Sequence, residues 1–253
     1  AGVRVLDFAQ RGAMSDVFGR KGEGFEKLDG TLFLGEGPYR NPYELMTFYD
    51  NHDMARLDAT DAGFIDANNW LFTSRGIPVL YYGSEIGFMR GRAEHAGNRA
   101  YIAQERIDAA PQRPIYAPLR RIARLREESV ALQRGLQVNL RLQGDEAVFL
   151  RVYQHEEQAQ TALVMLNKGD APKTLQADRY VQAGPWRDAF DGKPAAAKGK
   201  LAAEVPAHGV RVFLLDAPVR DAGLQAALAQ AMQQQAARDA QDAKGEAPAA
   251  PKL

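Results

Sequence analysis

One segment combines two acids and a histidine directly after a short apolar run, namely Phe48-Tyr49-Asp50-Asn51-His52-Asp53. Charged groups at such a place lower a reaction barrier when they hold a substrate more strongly as charge develops in it. In a barrel of parallel strands, the residues that follow a strand lie at the carboxyl rim, where active sites are built. Taken alone, the cluster also fits a turn in which Asp50 and Asn51 cap the backbone. Both interpretations stay open at this point.

Strand and helix patterns alternate around this cluster. The predicted elements are, in chain order, a buried strand at 3–8, a helix at 13–20, a strand at 46–49, a helix at 62–75 that Gly76 ends, a strand at 77–82 and an amphipathic helix at 118–131. The apolar run 77–82 carries a proline near its start, which is typical of a parallel strand covered on both faces. The alternation favours an α/β fold with a parallel sheet.

The pattern changes near Gly135. From there to residue 217, turn signals at 143–145 and 167–170 separate about seven short strands, which predicts an antiparallel β-sandwich. The remainder, 218–253, is rich in Ala and Gln, and Leu224, Leu228 and Met232 recur every four residues. A helix to about residue 240 followed by disorder from residue 245 is predicted there. A solvated appendage is favoured over a coiled-coil or partner-binding role.

Composition limits the partners. The 32 basic residues equal the 32 acidic ones, so nucleic acid is not an expected partner. Cysteine is absent, which excludes disulfides and thiolate metal sites. No apolar run reaches the length that spans a bilayer and no signal peptide is recognisable, so no membrane partner is expected. The sequence begins without Met, within a predicted strand, which favours a piece of a longer protein.

Three motifs in order resemble one enzyme family. The segment 48–53 is similar to the F-x-D-N-H-D motif on the seventh barrel strand of the α-amylase family, glycoside hydrolase family 13. The segment 76–85 resembles the eighth-strand motif of that family, and Leu6-Asp7-Phe8 resembles its sixth βα unit. The resemblance implies an α/β plus all-β fold: the C-terminal part of a TIM (β/α)8 catalytic barrel at 1–134, then a small β-sandwich at 135–217. The tail, 218–253, lies outside the resemblance.

The family resemblance implies a retaining α-glycosidase or glucanotransferase that acts on starch or maltodextrin, with an α-1,4-glucan as partner. Retaining enzymes need a nucleophile and an acid/base about 5 Å apart, and this family adds a third carboxylate that stabilises the transition state. Asp53 occupies the position of that third acid, and His52 would hydrogen-bond the same sugar. No G-x-R-x-D motif precedes Asp53, so the chain alone is expected to hold one of three catalytic acids and to be inactive.

Other substrate-binding candidates are Asn51, Arg99 and Tyr82. Asn98-Arg99 resembles a D-x-x-N-R subsite motif whose acid would be one of residues 94–96, and a surface salt bridge is an equal alternative for Arg99. Tyr81 and Tyr82 are candidates for sugar stacking or for the core. Glu85 is a candidate for orienting the rim. The remaining histidines, His95, His155 and His208, are predicted to lie at the surface.

The sequence shows no metal-ligand constellation and implies no cofactor in this segment, although the family makes calcium possible in a longer parent. The alternative from another functional class is a non-catalytic homologue that acts as a scaffold or carbohydrate-binding protein. The family favours a periplasmic or secreted location, with a cytoplasmic one possible. Hydrolysis and glucanotransfer are not distinguished, because acceptor-site residues lie largely upstream.

Overall fold

The computed structural model describes residues 5–93 and 98–243. The predictions for residues 3–4, for His95 and the acid of the subsite motif at 94–96, and for the end from residue 245 lie outside the described residues.

Three parallel strand positions, each followed by helix, form the first part of the chain. Its strands and α-helices are α1 Phe8–Phe18, α2 Glu26–Asp29, β1 Met46–Thr47, α3 Asp61–Thr73, β2 Ile77–Pro78, α4 Gln104–Asp108, α5 Tyr116–Glu128 and α6 Val130–Arg134. β1 pairs with β2 in parallel, and Leu6 forms a parallel bridge with Met46. The predicted α/β order of a partial barrel is confirmed.

Local capping sets where the helices begin and end. The Thr60 hydroxyl accepts a hydrogen bond from the Gly63 amide, which starts α3. After α3, Gly76 has φ +97° and a Cβ there would lie 2.3 Å from the Thr47 hydroxyl oxygen, so the turn into β2 requires glycine. The helix predicted at 118–131 is divided, because Ser129 leaves α5 with extended backbone and caps α6.

The observed strands of this part are shorter than predicted. α1 already begins at Phe8, and Leu6 and Phe8 are 37% and 47% exposed, so the prediction of a buried strand at 3–8 is wrong for these residues. β2 covers only Ile77–Pro78, and Ile77 is 38% exposed, so it is not covered on both faces. Within the described residues β2 pairs with β1 alone, and Pro78 has no N–H with which to extend a ladder.

The second part is the predicted antiparallel sandwich. Its strands are β3 Leu136–Gln143, β4 Glu146–His155, β5 Gln158–Asn167, β6 Lys173–Val181, β7 Trp186–Asp188, β8 Pro194–Ala195, β9 Gly199–Val205 and β10 Gly209–Leu215. One sheet has six strands in the order β3-β4-β5-β10-β7-β8, and β6 pairs with β9 in a second sheet. The sequence patterns gave no sign of β6 and β8. α6 ends at Arg134 and β3 begins at Leu136, next to the proposed domain boundary.

Both faces of the six-stranded sheet are buried. Phe149 and Val164 pair across β4 and β5 and pack with the helices, where the Phe149 ring lies 5.6 Å from that of Trp70 on α3. Their neighbours Leu150 and Leu163 point to the opposite face and pack against β6 and β9. Because successive strand residues face opposite sides, one strand pair joins the barrel part to the sandwich.

The tail forms one long helix, α7, at Ala222–Ala243. The prediction of a helix is confirmed, but the helix is not a solvated appendage. Leu224 is 1% exposed within the sandwich core. Toward its other end, the Gln235 side chain donates to the Arg40 carbonyl at 2.6 Å, and Arg238 donates to the carbonyl of Gly35. α7 therefore bridges the sandwich and the loop that precedes β1.

Candidate functional site

The loop after β1 is folded by its own first two polar residues. Asp50 is 2% exposed. One of its carboxylate oxygens accepts from the Leu57 amide at 2.6 Å, and the other accepts from the Ser84 hydroxyl at 2.7 Å. Burial raises the pKa of Asp50, and these two hydrogen bonds act in the opposite direction. Asp50 therefore connects the start of its loop both to Leu57, at the end of that loop, and to Ser84, in the turn after β2.

Asn51 makes the loop turn outward. Its side-chain oxygen accepts hydrogen bonds from the amides of Asp53 and Met54, at 3.0 and 2.9 Å. The side chain is mostly buried, at 8% exposure, so its oxygen serves the backbone. The turn interpretation of the motif thus describes Asp50 and Asn51, and the turn presents the next two residues to solvent.

His52, Asp53 and Arg99 form a charged group that is open to solvent. The His52 Nε2 lies 3.2 Å from one Asp53 carboxylate oxygen, and an Arg99 guanidinium nitrogen lies 3.2 Å from the other. All three side chains are about half exposed, at 58%, 54% and 49%. A carboxylate flanked by a histidine and an arginine can accept and orient sugar hydroxyls while its own charge stays accessible. The structure thus brings together three of the five predicted site residues.

Asn98 and Arg99 hold this group from a second segment. Asn98 is fully buried, and its amide nitrogen faces the carbonyls of Asn51, His52 and Met54, at 3.4, 3.1 and 2.6 Å respectively. Arg99 Nε also donates to the His52 carbonyl at 3.0 Å. The surface salt bridge that was an alternative for Arg99 is therefore present, and it is made to Asp53 itself.

A buried arginine connects the three segments of the rim. Arg56 is 2% exposed and donates to the carbonyls of Tyr82 and Asn98, at 2.9 and 3.2 Å. Its guanidinium carbon lies 4.3 Å from the centroid of the Tyr81 ring and 5.0 Å from that of Tyr82. Stacking on aromatic rings and forked donation are what distinguish arginine from lysine in such a place. Sequence reasoning missed Arg56 and Ser84, for which the only available signal was that they lie within or beside the motifs, and it singled out Asn98 only as the neighbour of Arg99 in the subsite motif.

Tyr82, the remaining predicted site residue, lies at the edge of the group. It is 37% exposed, and its hydroxyl donates to the Ala100 carbonyl at 2.7 Å. Its ring packs edge-on against Tyr81, with centroids 4.7 Å apart. Ser84, next to the predicted Glu85, is the residue that ties this strand end to the loop.

The predicted surface histidines His155 and His208 differ in exposure. His155 is exposed. His208 is partly exposed, at 26% of its side chain, and its two ring nitrogens lie 2.7 Å from Asp66 and 2.9 Å from Asp170. Asp66 is a buried residue of α3, so His208 links that helix to the sandwich.

Within residues 5–93 and 98–243, no group of three or more His, Asp or Glu side chains is arranged to hold a metal ion. Calcium in a longer parent stays a prediction. Over the same described ranges, no helix is long and apolar enough to cross a membrane.

Known proteins with similar sequences are glucanotransferases and amylases. No family model matches the sequence. A cyclomaltodextrin glucanotransferase of Paenibacillus macerans is 29% identical over 171 residues, which cover 66% of this chain and 23% of that protein. An α-amylase of Streptomyces lividans is 31% identical over 127 residues, which cover 38% of this chain and 14% of that protein.

Solved structures support the same relationship. A cyclomaltodextrin glucanotransferase with a three-domain ABC distribution superposes with a TM-score of 0.69 at 30% identity, over 84% of this chain and 44% of that one. The α-amylase of Geobacillus thermoleovorans, complexed with acarbose, gives a TM-score of 0.71 at 23% identity, over 85% of this chain and 49% of that one, and shows the fold alone. The chain spans about a quarter of the length of the Paenibacillus macerans cyclomaltodextrin glucanotransferases that it matches.

Proposed function

We propose that the chain belongs to the α-amylase family, glycoside hydrolase family 13, and that it supplies one side of the active site of a retaining α-glucan hydrolase or glucanotransferase. The proposed substrate is starch, maltodextrin or another α-1,4-linked maltooligosaccharide. The proposed active protein is periplasmic or secreted, and it combines this chain with the part of the barrel that the chain does not span.

The observation that carries the proposal is the setting of Asp53. Its carboxylate is half exposed at the strand ends, and His52 and Arg99 flank it. The backbone that bears it is fixed through Asn51 and Asn98. A fixed carboxylate loses little freedom when it meets a substrate, so it can respond to charge that develops in the transition state.

Each residue then has a distinct task. Asp53 accepts hydrogen bonds from hydroxyls of the sugar whose ring distorts toward an oxocarbenium ion, and it stabilises the positive charge as that charge grows. His52 donates to a hydroxyl of the same sugar. Arg99 keeps the Asp53 carboxylate oriented and offers further donors to the glucan. This intact group supports a catalytic role over a non-catalytic scaffold, which would not need an exposed, oriented carboxylate.

The nucleophile and the acid/base belong to the part of the relatives that this chain does not span. A stabilising carboxylate does not form a glycosyl-enzyme intermediate by itself. The 253-residue chain is therefore expected to show no turnover of soluble starch or of an activated maltooligosaccharide.

A chimera tests the proposal. The upstream barrel half of the structurally similar glucanotransferase is fused to this chain, and kcat is measured for the parent chimera and for Asp53→Asn. We expect turnover in the parent and a loss of about 100-fold or more in kcat for Asp53→Asn, with maltooligosaccharide binding largely retained. Asp108→Asn, on the short helix α4, is the matched control and should leave kcat unchanged. A folded chimera in which Asp53→Asn keeps more than about a tenth of kcat contradicts the role of Asp53.

A further inference from the structure

The two most exposed tyrosines of the chain lie beside the same charged group. All nine tyrosines fall within the described residues. Tyr82 and Tyr101 are the two that expose more than a third of their surface, at 37% and 83%. Tyr101 follows Arg99 by two residues, so its backbone lies within about 7 Å of the arginine that contacts Asp53. An exposed aromatic ring is thus placed next to exposed sugar-binding polar groups.

The backbone before Tyr101 is held residue by residue. The Asn98 side chain donates to the Met54 carbonyl at 2.6 Å, and Arg99 donates to the His52 carbonyl at 3.0 Å. The Ala100 carbonyl accepts from the Tyr82 hydroxyl at 2.7 Å. Three successive anchors leave the Tyr101 ring on a fixed support, which reduces the entropy that would be lost on binding a ligand.

The rings of Tyr82 and Tyr101 differ in their packing within the described residues. Tyr82 packs on Tyr81 and beneath the Arg56 guanidinium. In the described part of the chain the Tyr101 ring has no aromatic or cationic partner, and it belongs to none of the buried cores. A large amphipathic ring that is not packed and that follows an anchored stretch of backbone is suited to contact a ligand.

We infer that Tyr101 is a stacking residue for an α-glucan and extends the site beyond the sugar that Asp53 contacts. A glucose ring presents hydroxyls around its edge and C–H groups on its faces. The C–H face of one glucose unit lies on the Tyr101 ring, while Arg99 donates to hydroxyls between this unit and the one at Asp53. The ring therefore selects for substrates longer than the sugar at the reacting centre. This inference rests on the proposed function.

Binding of maltoheptaose to the purified 253-residue chain, measured by isothermal titration calorimetry, tests the inference. We expect Tyr101→Ala to weaken binding by about 3- to 10-fold, because an aromatic contact is lost. Tyr101→Phe should bind like the wild type, since it keeps the ring. Met232→Ala removes another exposed apolar side chain, on α7, and should change nothing. Because Tyr101 is exposed, all variants should unfold at the same temperature.

The failures of the two proposals are distinguishable. If Arg99→Ala weakens binding and Tyr101→Ala does not, the stacking role is overturned and the α-glucan site stands. If Tyr101→Phe weakens binding as much as Tyr101→Ala, the hydroxyl and not the ring makes the contact, and the stacking role is again overturned. If the wild-type chain does not bind maltoheptaose, the inference is overturned, whereas the proposed function is decided by the kcat of the Asp53→Asn chimera.

Discussion

Arg126 of α5 and Arg151 of β4 both donate a hydrogen bond to the carbonyl of Ser74, at 3.1 and 2.5 Å. Ser74 ends α3, where helix carbonyls lack partners within the helix. Burial lowers the pKa of Arg126 to about 10 and that of Arg151 to about 9, so both stay protonated at neutral pH. Two positive charges at the negative end of α3 thus join a barrel helix to the sandwich.

Replacement of Arg151 should strongly destabilise the chain. Its guanidinium also donates to the carbonyls of Thr73 and Gly135, at 2.8 and 3.1 Å. Arg151→Met leaves these buried acceptors unpaired, and we expect a loss of about 3–5 kcal/mol in the free energy of unfolding. Urea denaturation measures the loss. Arg113→Met, the same change at an exposed arginine, is the control. Equal urea midpoints for the two variants would show that the hydrogen bonds of Arg151 do not stabilise the chain.

The stability of the loop that carries His52 and Asp53 should depend on the hydrogen bonds that Asn98 donates to its carbonyls. Asn98→Ala removes the donor and is expected to cost about 1–3 kcal/mol of unfolding free energy. Asn98→Asp should cost more at neutral pH, because a buried carboxylate faces carbonyl oxygens and cannot donate to them.

Lowering the pH provides a control for Asn98→Asp. A protonated aspartic acid can donate one hydrogen bond, so the stability gap between Asn98→Asp and the wild type should narrow as pH falls. Urea midpoints at several pH values measure the gap. A gap that stays constant with pH, or Asn98→Asp being as stable as Asn98→Ala at neutral pH, would mean that donation to these carbonyls is not what holds the loop.

The link between His208 and Asp66 should make stability fall as pH rises. Burial raises the pKa of Asp66 from 3.8 to about 7. Burial alone would lower the pKa of His208, but its hydrogen bonds to Asp66 and Asp170 raise it above 6.5. Lys168 and Asp145 are the other charged groups that act on Asp66. With both pKa values raised, the folded chain binds more protons than the unfolded one, and unfolding free energy should decrease as pH rises from about 4 through neutrality.

Variants isolate this pH dependence. His208→Gln and Asp66→Asn each remove a titrating group, so the slope of unfolding free energy against pH, between about pH 5 and pH 8, should be smaller than in the wild type. His155→Gln, at an exposed histidine, should keep the wild-type slope. The prediction fails if all three variants show the same slope as the wild type.

The sequence predicted the elements that local pattern determines. Short strands separated by turn signals, such as the one that carries Phe149 and Leu150, indicated the sandwich, and the motif residues His52 and Asp53 indicated the site. Local pattern carries no sign of contacts between distant segments. Asn98 is 44 residues from Met54, whose carbonyl it holds. The strand at 77–82 has the apolar composition of a covered strand, but its length depends on neighbouring strands, which composition does not report.

The contacts of α7 could not be predicted from the sequence for the same reason. Leu224, Leu228 and Met232 follow one spacing, yet Leu224 is 1% exposed and Met232 is 64% exposed. The start of the helix lies on the sandwich, and its later part contacts the loop before β1 through polar side chains, Gln235 and Arg238. Periodicity identifies a helix and one of its faces, but not how far along its length a partner extends.

This difference along α7 gives the last prediction. Leu224→Ala should lower the unfolding free energy by about 2–5 kcal/mol, because the side chain fills the sandwich core. Met232→Ala makes a similar truncation on an exposed surface about two helical turns later, and it should change stability by less than about 0.5 kcal/mol. Because α7 also holds the loop at Gly35 and Arg40, Leu224→Ala should speed limited proteolysis within that loop. Equal unfolding midpoints and equal cleavage rates for the two variants would show that α7 is a solvated appendage.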